Sequence, residues 1–421
     1  MRFSTKRNAC PRARPSPNCF RQRSGYDEAF PHPFRSSAAV FPLAALHGAG
    51  WPFLWIVIGG YALPFANAVP ASQWHAHEMI FGTYGMALAG FLGSAVPEWT
   101  DTKPAQGRTL LYLAGLWLPG RLIGFLGMEA GSLFAGFFDL AFLLALSVLI
   151  GRAMLARRTV KHLAFLIWLL LFTAAEAGVR YAWWSGDLEL ASRLLEAALC
   201  IFTVLFSLSA ARINVVVINL ALDPGDETTP YRPHPGRQHM AGAMVTLYMA
   251  AKLFFPQSDV CAWLSLAAGA AFFDRLAEWF IGRAVFKTEV LLLGLGNAFA
   301  GVGFLALGAT RLGFSVTPAA GLHLLSVGAL GCAIMAVFII AGLRHTGRNL
   351  THLPWQAHVA ALLMAMAGLV RILPEFDFAA TLSPYHHGLS AVLWAASFGA
   401  WLQGFLPFMC APGIDEAGAC G

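Results

Sequence analysis

The chain has 421 residues, enough for two or three soluble domains by length, yet 57% are hydrophobic, only 12% are charged and 42 are Gly. That balance leaves too little polar surface to cover a water-soluble globule of this size, so the chain reads as an integral membrane protein. Seven Cys in an odd, sparse pattern without a C-x-x-C argue against a disulfide scaffold and exclude a zinc ribbon or thioredoxin motif.

In chain order, residues 1–38 are rich in Arg, Pro and Ser and lack apolar periodicity, which predicts a disordered basic cytoplasmic extension. A cleavable signal peptide would carry its apolar stretch much closer to Met1. Twelve windows of about 20 predominantly apolar residues follow, each the length a helix needs to cross the hydrocarbon core. They run over 40–65, 75–97, 108–127, 131–151, 162–184, 190–211, 239–256, 259–281, 289–310, 317–342, 354–373 and 385–408. The expected fold is therefore all-α, a polytopic transmembrane helix bundle of about 12 spans. A polar connection over 223–238, with Pro224, Pro230, Pro233 and Pro235, separates spans 1–6 (39–222) from spans 7–12 (239–409), and 410–421 is a short tail.

Orientation follows from where Lys and Arg fall. The first 35 residues hold Arg2, Lys6, Arg7, Arg12, Arg14, Arg21, Arg23 and Arg35, and the connections after every second span hold most of the rest. Arg193, Arg311 and Arg371 fall near the opposite side. An even number of crossings with both termini cytoplasmic is the expectation. The net charge of +6 orients the chain and does not advertise a nucleic-acid partner.

The 13 His carry most of the chemistry. His75 and His77 open the second span, His386 and His387 open the twelfth, and His323 lies about 9 Å below the start of the tenth at a rise of about 1.5 Å per residue. All three spans start from the outer face, so these imidazoles could meet in one layer as iron or copper ligands. The alternative is a set of interfacial His that bind nothing. A second layer, His47, His162, His239, His345, His352 and His358, falls towards the cytoplasmic side. His75 and His77 differ by about 200° of helical rotation and cannot share a face. Glu78, three residues after His75, shares its face and could orient that ring.

Ionisable residues inside spans face the bundle interior by default. Glu176 and Arg180 are spaced for an i, i+4 pair, Asp274, Arg275 and Glu278 form a similar set, and Arg121, Asp139 and Lys252 have no local partner. Gly85-x-x-x-Ala89-x-x-x-Gly93 and Gly328-x-x-x-Cys332-x-x-x-Ala336 make smooth stripes for close helix approach.

Trp74-His75-Ala76-His77-Glu78-Met79-Ile80-Phe81-Gly82, Ala95-Val96-Pro97-Glu98-Trp99-Thr100, His323 with Val327-Gly328-Ala329-Leu330-Gly331, and His345-Thr346-Gly347-Arg348 together resemble the NnrS family, in matching order from about Phe34 to the carboxyl end. The resemblance implies a bacterial inner-membrane protein of the nitric oxide response that contains haem b and copper. It would act in denitrification or protection from nitrosative stress, with nitric oxide or iron–nitrosyl species as partners. It carries over His75, His77, Glu78, His323, His345 and Arg348 as cofactor-binding candidates. His75, His77, His323, His386 and His387 are the candidate metal ligands. Arg212 is followed by Ile213-Asn214-Val215-Val216 without the family's usual Pro, and Leu324 stands where a smaller residue is usual. Two other classes fit parts of the sequence: a redox enzyme analogous to haem–copper oxidases and nitric oxide reductases, and a proton-coupled transporter built from two sets of six spans.

Overall fold

The computed structural model describes residues 40–60, 69–103, 105–126, 131–225, 227–376, 380–383 and 385–410. The basic extension over 1–38, the end of the first expected span and the tail beyond Cys410 lie outside the described residues. Among the described residues the chain forms helices and no strand.

The helices are α1 (Phe41–Gly60), α2 (Ala71–Thr100), α3 (Arg108–Leu126), α4 (Gly131–Ala156), α5 (Leu163–Ser185) and α6 (Leu188–Leu222). After the polar connection come α7 (Pro235–Phe254), α8 (Val260–Arg275), α9 (Thr288–Arg311), α10 (Pro318–Arg344), α11 (Trp355–Ile372) and α12 (His386–Cys410). Each expected apolar window coincides with one of them. Nine, all but α1, α3 and α7, are long and apolar enough among the described residues to cross a membrane, α8 together with the 3-10 turn Leu276–Trp279 that continues it.

Helix ends follow local chemistry. Pro235 and Pro318 stand in the first turns of α7 and α10, where a missing N–H costs nothing. Thr317 caps α10 by accepting the N–H of Ala320. Gly186, at φ 76°, closes α5, and Asp187 then caps α6 by accepting from Leu190, so one dipeptide reverses the chain.

Burial separates inner from outer helices. The apolar windows of α2, α6 and α10 are 89%, 78% and 83% buried inside the protein, against 39% for α5 and 44% for α4. Large apolar side chains on the outer helices, among them Leu133, Phe137, Leu144, Leu155 and Trp184, stay exposed, as a lipid-facing surface requires. The helices α2, α6 and α10 therefore form the centre, with α1 and α11 packed on α12.

Two central helices depart from α geometry at matching places. In α2 the turn Glu78–Tyr84, directly after His77, is a π-helix, and in α10 so is Leu324–Leu330, directly after His323. The wider π turn leaves carbonyls without their α-helical partner, a feature frequent at functional sites. One of them, Ser326 O, accepts the Tyr84 hydroxyl at 2.8 Å, which ties the two π segments together.

Candidate functional site

His77 and Glu78 project from α2 into a buried ion network. His77 Nε2 lies 2.8 Å from Glu176 Oε2 on α5, and its Nδ1 lies 3.1 Å from Glu78 Oε1. Arg180 donates through Nε to Glu176 Oε1 at 2.7 Å and through Nη2 to Asp139 Oδ2 on α4 at 2.6 Å. Arg121 on α3 bridges Glu78 Oε2 at 2.7 Å and Asp139 Oδ1 at 2.5 Å. His47 on α1 completes the ring, with Nδ1 2.8 Å from Thr83 Oγ1 and Nε2 3.4 Å from Glu78 Oε2. Three carboxylates against two guanidiniums leave one negative charge. His77 has a carboxylate oxygen facing each ring nitrogen, and Arg180 Nη2 also lies 3.1 Å from its Nε2.

His77, Asp139 and Glu176 stand close enough together to hold a metal ion. Their oxygens are, however, already engaged: both of Asp139 and one of Glu176 by guanidiniums, the other of Glu176 by His77. Two buried cations beside the group oppose a third. The cluster is built as a closed salt-bridge network. Gly82 is required at its edge, because a Cβ there would stand 2.6 Å from Arg121 Nη1 and 2.7 Å from His47 Cε1.

Two expectations change here. Glu78 meets the ring of its neighbour His77, with Oε1 3.1 Å from Nδ1, and its other oxygen is held by Arg121, so it turns into the ion network rather than towards the cavity that His75 lines. His47 belongs to this central network beside Glu78 and not to a separate cytoplasmic layer. The Glu176–Arg180 pair forms as expected, and Lys252, without a local partner, pairs with Glu196 across helices at 3.2 Å. The expected set on α8 does not close on itself: Arg275 donates to Ser207, Glu278 accepts from Tyr231, and Asp274 meets Arg237.

On the other face of α2 lies a cavity of about 450 Å³. His75 from α2, His323 from α10 and His387 from α12 all line it, together with Arg371 from α11 and Tyr84, Gln73 and Glu196. The three helices expected to converge do so, and three of the five expected imidazoles share one chamber. His77 points the other way, as its rotation from His75 demands. His386 packs its ring on His387 with centroids 4.0 Å apart but turns towards Ser383 O, 2.5 Å from its Nδ1.

His323 Nδ1 donates to Ala319 O at 2.7 Å, which fixes the tautomer and turns the Nε2 lone pair towards the Arg371 guanidinium. That backbone bond is the kind that orients an imidazole for a metal. Arg371 Nη2 stands 3.4 Å from the same Nε2. Gln73 holds α2 to α6 at the rim, donating to Leu188 O and Ser192 Oγ and accepting from Trp183.

His345 and Arg348 are remote from both sites, at the opposite end of α10 from His323. Their motif is a helix stop. Gly347 takes φ 70°, Arg348 N donates to Leu343 O at 3.0 Å and Gly347 N to Arg344 O at 3.2 Å, the double bond of a Schellman cap. Burial holds the His345 imidazole below its ordinary pKa, so it sits neutral there. Arg348 stacks over Phe408 at 4.2 Å. Nearby on the same side, Arg212 lies 4.5 Å over Trp99, whose other contacts include the stacked ring of His162.

The sequence pointed to Arg371 only as an outer-side charge, and it missed Gln73. Gln73 has no local signal because its partners lie on other helices, whereas Arg371 has Glu375 at the i, i+4 spacing, 3.7 Å away.

No curated protein matches the chain. A family model described as NnrS protein matches residues 29–412, which is most of the 421 residues and includes both π segments, the ion network and the histidine-lined cavity. The chain belongs to the NnrS family.

Proposed function

We propose that this chain is a haem- and copper-containing inner-membrane protein of the nitric oxide response, with its metal site in the chamber lined by His75, His323 and His387. The carrying observation is the meeting of those three imidazoles, from three separate helices, around one cavity of about 450 Å³. Neutral imidazole nitrogens suit iron and copper, and the backbone bond of His323 presents Nε2 as a ligand atom. A metal held there supplies a coordination position for a diatomic gas. The protein's own part is to orient the rings, to keep the chamber largely apolar through Met79, Ile80, Leu199 and Leu322, and to admit a small apolar molecule from the bilayer.

The ion network on the opposite face of α2 fits a different role, fixing the rotation of that helix so that His75 faces the cavity. It also keeps His77 out of the ligand set. Nitric oxide or an iron–nitrosyl species is the partner this reading assigns.

The test is elemental and haem analysis of detergent-purified protein. His323→Ala and His75→Ala are each expected to lose most of the bound metal or haem, whereas His352→Ala keeps it. Wild-type protein without haem absorbance and without copper would overturn the reading. So would unchanged content in both cavity variants.

A further inference from the structure

The central helices α2, α6 and α10 also enclose a smaller cavity, of about 50 Å³. It lies about one helical turn beyond the histidine chamber. Tyr84 on α2 and Leu199 on α6 line the chamber, whereas Ala87 on α2 and Phe202 on α6 line the smaller cavity. Each is a step of three residues, which advances an α-helix by about 4.5 Å. On α10 the wall passes from Val327 to Ala333. Two aromatic rings stand between the cavities. Tyr84 from the chamber wall meets Phe202 from the smaller cavity with centroids 5.3 Å apart, and the Tyr84 hydroxyl is tied to Ser326 O at 2.8 Å.

The smaller cavity suits only an apolar occupant. Among the described residues of its wall Ser209 alone has a polar side chain, and that hydroxyl already donates to Leu205 O at 2.6 Å. A buried water needs about two to four polar partners, so this wall disfavours one. Small side chains make the room: Ala87, Ala210 and Ala333, one from each central helix, stand among Phe206, Leu293 and Phe338. Size then selects. An apolar cavity of roughly 150 Å³ takes benzene or xenon, and one about a third as large fits a diatomic gas but not an acyl chain. Phe91, Ile213 and Val337, at the end away from the chamber, are partly exposed, which gives that end access from outside the core.

We propose that this cavity is a holding site for one small apolar gas molecule. On the function proposed above, that gas is nitric oxide and it reaches the histidine chamber across the Tyr84–Phe202 pair. The holding site itself does not depend on that reading.

The test uses crystals of the full chain pressurised with xenon, as wild type, Ala87→Val and Ala333→Val, with folding checked by thermal melting. Xenon is expected in the wild-type cavity beside Phe206 and Phe338. Each variant should lose it, because the two added methyl groups fill the room. The second readout is recombination of nitric oxide after flash photolysis of the nitrosyl protein. A molecule held in the cavity rebinds before it escapes, so this geminate phase should shrink in both variants in step with the loss of xenon.

A wild-type cavity that takes no xenon, or xenon retained undiminished in both variants, overturns the holding site. Xenon bound there with an unchanged geminate phase overturns the passage to the chamber. If one variant fails to fold, the other, on a different helix, decides; if both fail, the wild-type xenon map decides. A chain that takes xenon but carries neither haem nor copper keeps the holding site and overturns the metal reading with the passage that rests on it, so the two failures are distinguishable.

Discussion

Asp139 illustrates why single side chains matter so much inside this bundle. Its two oxygens hold Arg121 and Arg180, from helices on either side, and the residue is buried. Asp139→Asn leaves two buried guanidiniums short of a charge, and such a break costs about 3–5 kcal/mol. A clear fall in melting temperature in detergent, with metal content retained, is the expected outcome. His77→Ala should behave the same way, because it removes the imidazole between Glu78 and Glu176 rather than a cavity ligand. Loss of metal together with retained stability in His77→Ala would show that the ring serves the metal after all. Gly82→Ala tests the same network from its edge: the added methyl must displace Arg121 or His47, so thermal stability should fall even though Ala is the better helix former.

Element-scale features explain how the helices are placed to make the chamber. The π turns after His77 and His323 wind the chain more slowly than an α-helix, and this sets which residues beyond them face inward. Their linkage through Tyr84 and Ser326 fixes α2 against α10, so Tyr84→Phe should loosen that contact by about 1 kcal/mol, the net worth of one hydrogen bond, read by thermal melting. Close backbone approach does the same for α11. A Cβ on Gly368 would stand 3.0 Å from the Cα of Gly328, so this pair lets α11 carry Arg371 to the cavity wall. At the far end of α10, Gly347→Ala forces an L residue into the left-handed region and is expected to cost about 1–2 kcal/mol without changing bound metal. A loss of metal in that variant would give the His-Thr-Gly-Arg motif a ligand role beyond its helix stop.

Over the whole molecule, positive charge and apolar length define an orientation that labelling can check. In a background free of native cysteines, Gln257→Cys should react with an impermeant thiol reagent added to intact cells. Arg158→Cys and Arg232→Cys should react only after the membrane is opened. Labelling of all three from outside would overturn the topology. The helical segments, the i, i+4 pair of Glu176 and Arg180 and the meeting of the second, tenth and twelfth spans were legible in the sequence, because hydrophobic length, helical spacing and depth along a helix are properties of one segment at a time. The partner of Glu78, the place of His47 beside it and the contact of Arg371 with His323 were not. Each depends on the rotation of one helix against another, and that rotation is set by packing, by glycine contacts and by two π turns acting together. Apolar run length thus determined by itself that this chain forms long membrane-type helices. Helical spacing alone put His75 and His77 on different faces, and only the tertiary structure decided what those faces meet, a sealed charge network for His77 and an open chamber for His75, because both are assembled from other helices.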